Sequence, residues 1–182
     1  EVKKCRSLCD YQVEHIATWL MPSYVETEFE YSAVHYEPIG VLLAIMPWNF
    51  PFWQVFRFAV SQILAGNVVV LKHAPNVTGC AIKIANLFRE AGFPEGVFTT
   101  LVIETDPVAA IIGDQRVQGV ALTGSAAAGK IVGSQAGAAL KKVSLELGGS
   151  DPLVVLKDAD LKLAADIAVQ SRMANAGQIC IA

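Results

Sequence analysis

Lys141-Lys142-Val143-Ser144-Leu145-Glu146-Leu147-Gly148-Gly149 is the stretch around which the chain is organised. Residues 143–147 read as a short buried strand that runs straight into two glycines. An acid between two leucines at a strand end is a poor choice for a core. It suits a general base at the mouth of a parallel sheet, where ligands collect. Upstream, residues 126–140 form a small-residue helix and residues 117–122 a strand. Residues 107–112 are a short helix, and 97–103 another strand. Residues 78–91 keep Ile84, Leu87, Phe88 and Ala91 on one helical face and stop at Gly92. The β-branched run 68–71 is a buried strand. Residues 52–65 are a helix ending at Gly66, a natural C′ residue, and 41–45 are a very apolar strand.

Alternating strands and helices, with strands apolar on both faces, define an α/β fold: a doubly wound, Rossmann-like parallel sheet. Residues 1–20 read as a leading helix, with Val13, Ile16, Ala17 and Leu20 at helical spacing. Residues 24–36 alternate aromatic or β-branched with polar side chains, a hairpin signal with one wet face. Downstream, residues 153–156 are a candidate sixth strand. Asp160 caps a last helix through Leu161, Ala164, Ala165 and Ala168.

The chain has 182 residues, 53% of them apolar, a mean hydropathy of +0.44 and a net charge of −3. A core is easily built and disorder is not expected. The acidic balance argues against a nucleic-acid platform. The longest apolar run, residues 39–48, is well short of the roughly 18 residues a membrane span needs. The start, EVKKCRSLCD, shows no signal peptide and no initiator Met. Cys5 and Cys9 lie four apart on the leading helix, but no second pair or nearby His completes a metal site. Together with Cys80 they read as reduced thiols of a cytoplasmic protein. His15, His35 and His73 are scattered, and no metal is expected.

Thr123-Gly124-Ser125 joins a strand to the helix that contains Gly129 and Lys130. Backbone N–H groups and the helix dipole there favour a phosphate. The run nearly matches a P-loop, but Ile131 follows Lys130 and cannot ligate magnesium. The bland alternative is a glycine-rich helix start packed closely on the sheet. Pro47-Trp48-Asn49-Phe50-Pro51 holds Asn49 in a rigid loop past the first sheet strand. A side-chain amide there can donate to a developing oxyanion, although an Asn between prolines is alone no more than a turn residue. Cys180 closes Asn175-Ala176-Gly177-Gln178-Ile179-Cys180. It is either a core thiol or a nucleophile. Lys72 ends a strand at the same sheet edge, where a solvated lysine is the ordinary reading.

P-W-N-F-P at 47–51, T-G-S at 123–125, E-L-G-G at 146–149 and G-Q-I-C at 177–180 resemble, in order and spacing, the aldehyde dehydrogenase superfamily. The resemblance covers nearly the whole chain from Glu37. K-H-A-P-N at 72–76, W-Q-V-F-R at 53–57 and E-L-G-G-S-D-P at 146–152 look most like its bacterial succinate-semialdehyde dehydrogenase branch.

The resemblance implies Cys180 as nucleophile, Glu146 as general base, and Asn49 with the Cys180 backbone N–H as oxyanion donors. It implies that Ser125 and the turn from Gly124 to Gly129 hold the pyrophosphate of NAD or NADP. Lys72 would reach the adenosine ribose, Thr123 and Leu147 would flank the nicotinamide, and Pro47 and Trp48 would line the cleft. Arg57, six residues past Pro51, would bind the distal carboxylate of a semialdehyde. The implied reaction is oxidation of an aldehyde to its acid through a thiohemiacetal and a thioester on Cys180. The implied domains are a dinucleotide-binding unit over 1–146, with part of an oligomerisation hairpin near 24–38, and the start of a second, α/β catalytic domain over 147–182. A homodimer or homotetramer is implied for the full-length protein.

Two departures matter. NAD-preferring relatives often carry a glutamate three residues after the lysine; Pro75 stands there, so use of NADP is expected as well. A second carboxylate-binding arginine would fall at Ala174, and Arg172 is two positions away. Relatives are several hundred residues long, so the 182-residue piece alone is expected to be inactive and aggregation-prone. Rival readings are an aldehyde dehydrogenase for uncharged aldehydes, a P-loop hydrolase, and a non-catalytic paralogue that binds nucleotide.

Overall fold

The computed structural model describes residues 1–181. Helix α1 (Val2–Trp19) packs on the outside of the sheet's helical layer against α2 (Trp53–Leu64). Gln12 Nε2 donates to Ser61 Oγ at 2.9 Å, and Lys4 Nζ lies 3.8 Å from the Trp53 ring centre. A small antiparallel hairpin follows, β1 (Ser23–Tyr24) with β2 (Ala33–Val34), mostly exposed.

The main sheet has five parallel strands. They are β3 (Val41–Met46), β4 (Val68–His73), β5 (Phe98–Leu101), β6 (Val117–Gly124) and β7 (Lys142–Leu147), in the spatial order β5-β4-β3-β6-β7. The chain winds outward from β3 through α2, β4, α3 (Thr78–Glu90) and β5. It then crosses back through α4 (Val108–Gly113) to β6, and through α5 (Ala126–Ala138) to β7. The direction of winding reverses between β3 and β6, so their C-terminal ends flank the switch point where open α/β sheets bind ligands.

Period-two alternation explains why both sheet faces are apolar. Ala44 and Met46 of β3, with Val69 and Leu71 of β4, face Val55 and Ala59 of α2 and Ala81, Ile84 and Phe88 of α3. Leu43, Val120 and Leu122 face the other way, against Val108 and Ile112 of α4 and Val132 and Ala136 of α5. Gly66 (φ 88°) and Gly92 (φ 85°) leave the helices in the left-handed region, as the sequence required.

Two expectations fail. Residues 143–147 are not buried: β7 is the sheet edge, and only Leu147 is half-buried. Residues 153–156 form no strand; these apolar side chains are exposed, and no described strand pairs with them. The last helix, α6 (Leu161–Arg172), starts where expected, with Asp160 Oδ1 accepting from the N–H groups of Lys162 and Leu163. None of its residues is buried.

Candidate active site

A crevice of about 240 Å³ opens at the switch point. Four segments far apart in sequence build it: the loop after β3 with Pro47, Trp48 and Asn49, the end of β6 with Thr123, Gly124 and Ser125, the end of β7 with Glu146 and Leu147, and the segment Gln178, Ile179 and Cys180.

Asn49 is held on both sides. Its Nδ2 donates to the Gln178 carbonyl at 3.1 Å, and Asn175 Nδ2 donates to the Asn49 carbonyl at 3.1 Å. Asn175 also donates to Gln178 O at 3.2 Å. The loop after β3 is thus bonded to the segment that carries Cys180. Asn175 (φ 50°), Ala176 (φ 56°) and Gly177 (φ 78°) turn consecutively through the left-handed region. Two of them are not glycine. Each such residue stores on the order of 1–3 kcal/mol and persists only where its surroundings over-determine it. Asn175, which sequence reasoning quoted without a role, is the residue that ties this turn to Asn49.

Glu146, the next-to-last residue of β7, lies beside Thr123 of β6. Gly149, just past it, sits close enough that a Cβ there would stand 3.8 Å from the Cys180 carbonyl oxygen. Cys180 is half-buried and free, whereas burial pushes the thiols of Cys5 and Cys9 up and makes them poor nucleophiles. Among the described residues, no three of His, Cys, Asp and Glu gather to hold a metal ion.

Ser125 is the N-cap of α5; its Oγ accepts the Ala128 N–H at 3.2 Å. The first turn of α5 therefore points its remaining N–H groups toward the crevice mouth. Gly129, implied as the end of the turn that holds the pyrophosphate, faces Leu147 of β7. It is buried on the sheet-facing side of α5, where a Cβ would come within 2.6 and 2.9 Å of the Leu147 methyl groups. Its role is to let α5 pack on Leu147. Lys72 does not line the crevice and is not a solvated lysine. It is 8% exposed, on the α4–α5 face of the sheet, with no hydrogen bond or ion pair among the described residues.

Arg57 does not line this crevice either. It lies in an adjoining one of about 270 Å³ with Met46, Phe58, Ser144, Thr123 and Glu146. Its Nη2 is 3.7 Å from Glu146 Oε2. Both side chains are substantially exposed, so the pair contributes no more than about 1 kcal/mol. Gln54 joins the two crevices and escaped sequence reasoning, because one glutamine in an apolar helix carries no signal. It is 4% exposed, and its Oε1, like Asn49 Oδ1, is buried without a hydrogen-bond partner among the described residues. Unpartnered acceptors in a crevice mark a place built to receive a polar group.

A doubly wound sheet with an amide, a carboxylate and a thiol around its switch-point crevice defines a class: an open α/β platform with its candidate ligand site at the switch point. Over residues 1–182 the sequence matches the aldehyde dehydrogenase family, and the chain belongs to that family. It is 53% identical over its whole length to the succinate semialdehyde dehydrogenase [NAD(P)+] of Escherichia coli K12. It is 50% identical over the same length to a probable succinate-semialdehyde dehydrogenase [NADP(+)] of Synechocystis. Among solved structures, succinic semialdehyde dehydrogenase from Streptococcus pyogenes, in complex with NADP+, superposes with a TM-score of 0.93 at 39% identity, covering 97% of this chain and 39% of that one. The chain spans about two-fifths of the length of the curated relatives it matches, 39% and 40%.

Proposed function

We propose that the full-length protein oxidises a short semialdehyde, succinate semialdehyde foremost, to its acid with NAD or NADP. The observation that carries this is the convergence of Asn49, Glu146 and Cys180 from three distant segments on one crevice. The names of its relatives support the substrate and the cofactor.

The residues present fit a dinucleotide. The α5 N-terminus supplies N–H donors for a pyrophosphate, Lys72 has no protein partner among the described residues, and Leu147, Pro47 and Trp48 give the mouth an apolar wall. Pro75, where a ribose-holding acid would exclude a 2′-phosphate, leaves NADP acceptable.

The Cys180 thiolate adds to the aldehyde carbon, and the carbonyl electron pair moves to oxygen. The Asn49 amide has two hydrogens; one is on Gln178 O, and the other is available to that oxyanion. NAD or NADP, when bound, supplies the acceptor for the hydride that leaves the carbon. An acyl thioester then remains on Cys180. Glu146 takes a proton from water, the water attacks the thioester, and the thiolate departs.

Residues 1–146 act as the cofactor-binding unit and 147–182 begin the catalytic domain, with the β1–β2 hairpin contributing to a homodimer or homotetramer. Four free thiols suit a reducing cytoplasm.

Two tests follow from the site's layout. Arg57→Ala in the full-length enzyme should raise KM for succinate semialdehyde about 10- to 100-fold, the value of a charge-assisted contact of roughly 1.5–3 kcal/mol. KM for an uncharged aldehyde should stay within about twofold. An equal change for both substrates would remove the semialdehyde assignment and leave the family chemistry. Gly129→Ala should turn Leu147 toward the nicotinamide wall and raise cofactor KM several-fold. The melting temperature should hold, because the alanine regains about 1 kcal/mol of helix propensity. Unchanged cofactor KM would show that Leu147 does not form that wall.

A further inference from the structure

His73 is the last residue of β4, 5% exposed, and its ring lies between the two ends of the loop that carries Asn49. Nδ1 accepts the Ala74 N–H at 2.9 Å and stands 3.1 Å from the Met46 carbonyl. Nε2 is 3.0 Å from the Pro51 carbonyl. We assign the proton to Nε2, the tautomer in which Nδ1 accepts the Ala74 N–H and Nε2 donates to Pro51 O. Met46 is where β3 ends and Pro51 is where the loop closes. Ala74 N also donates to Met46 O at 3.0 Å, so one network joins β3, β4 and the far end of the loop.

Among the described residues, His73 supplies the sheet's one side-chain hydrogen bond to residues 47–51; the others come from the Asn175–Gln178 side. Two prolines fix φ within the loop but leave open how the loop tilts over the sheet. His73 removes that freedom.

We propose that His73 is the positioning residue for Asn49. It locks the 47–51 loop to the end of β4 and so sets where the Asn49 amide stands relative to Cys180. This rests on the oxyanion role proposed for Asn49. A donor of that kind works within a window of roughly 2.7–3.1 Å, and a misplacement of about 1 Å costs on the order of 100-fold.

The test is a double-mutant cycle in the full-length enzyme. His73→Leu should lower kcat about 10- to 100-fold with both charged and uncharged aldehydes, with cofactor KM unchanged. His73→Gln, whose amide can still donate to Pro51 O, should recover activity to within a few-fold of the native enzyme. In an Asn49→Ala background, His73→Leu should cost almost nothing further, because the group it positions is gone. An equal loss in both backgrounds would overturn the proposal, as would a loss confined to cofactor KM. If His73→Leu does not fold, His73→Asn, too short to reach Pro51 O, takes its place in the cycle. Hydrogen exchange adds a readout that needs no turnover. Amides of residues 48–50 should exchange faster in His73→Leu, and unchanged exchange there would also overturn it. Absence of Cys180-dependent turnover in the native enzyme would defeat the functional reading and the catalytic half of this inference together, and exchange would then decide whether the clamp exists.

Discussion

Cys180→Ala should abolish aldehyde oxidation by the full-length enzyme, lowering kcat on the order of 10³-fold or more while cofactor still binds. The size follows from what the thiol does. Without it, no covalent bond fixes the aldehyde carbon, and the effective-molarity advantage of an attached substrate is lost with the nucleophile. The surroundings should survive the change. The turn ahead of Cys180 is held by backbone and amide bonds through Asn175, Gln178 and Asn49, none of which involves the sulfur. Stopped-flow nicotinamide absorbance would show neither burst nor steady state in the variant, and cofactor titration would show unchanged binding. Turnover within tenfold of the native enzyme would mean that another group does the chemistry. Cys9 and Cys80 are the other half-buried free thiols, and they lie on α1 and α3, outside the crevice lining.

Glu146→Gln should separate the two halves of the reaction. In the proposed mechanism, formation of the thioester needs Cys180 and Asn49, and its hydrolysis needs a base. Removing the base should lower steady-state turnover by about 10²- to 10⁴-fold and leave a stoichiometric burst of reduced cofactor in the first turnover. The glutamine keeps the side chain's length at the end of β7, so the crevice retains its wall. It also removes the negative charge 3.7 Å from Arg57 Nη2. Binding of an acidic substrate should therefore be unharmed or slightly improved, and the defect should fall on kcat. Loss of burst and steady state together would place Glu146 in thiol activation or structure instead of thioester hydrolysis.

Much of the fold was readable because the parallel sheet announces itself. The strands now seen as β3 and β4 are apolar on both faces, and Gly66 and Gly92 stop the helices between strands. The edge strand was misread, although its signal was present. Val143, Leu145 and Leu147 alternate with Ser144 and Glu146, the pattern of a strand with one wet face. The leucines beside Glu146 suggested burial that the alternation denied. Residues 153–156 look like a strand by composition, but a strand needs a neighbour, and none of the described strands is in place.

The site divides in the same way. Asn49, Glu146 and Cys180 were legible because each sits in a short motif, and the motifs fall in one order. Gln54, His73 and Asn175 were not. Each is an ordinary residue of a helix, a strand or a turn, and its role exists only when a distant backbone atom is brought to it. Arg57 was found, but its nearness to Glu146 depends on how α2 lies against β7, which no local pattern encodes. For Gly129 the sequence offers two readings, a phosphate turn and a helix start packed closely on the sheet, and the contact with Leu147 fits the second.

The most direct measurement is peptide mass spectrometry of full-length Glu146→Gln, quenched in acid after one turnover with succinate semialdehyde and NADP. One acyl group is expected, in thioester linkage and removable by hydroxylamine, on the peptide that contains Cys180 and in amounts matching the cofactor reduced. Cofactor reduction with no acyl group on Cys180, or with the group on another residue, would contradict the proposed mechanism.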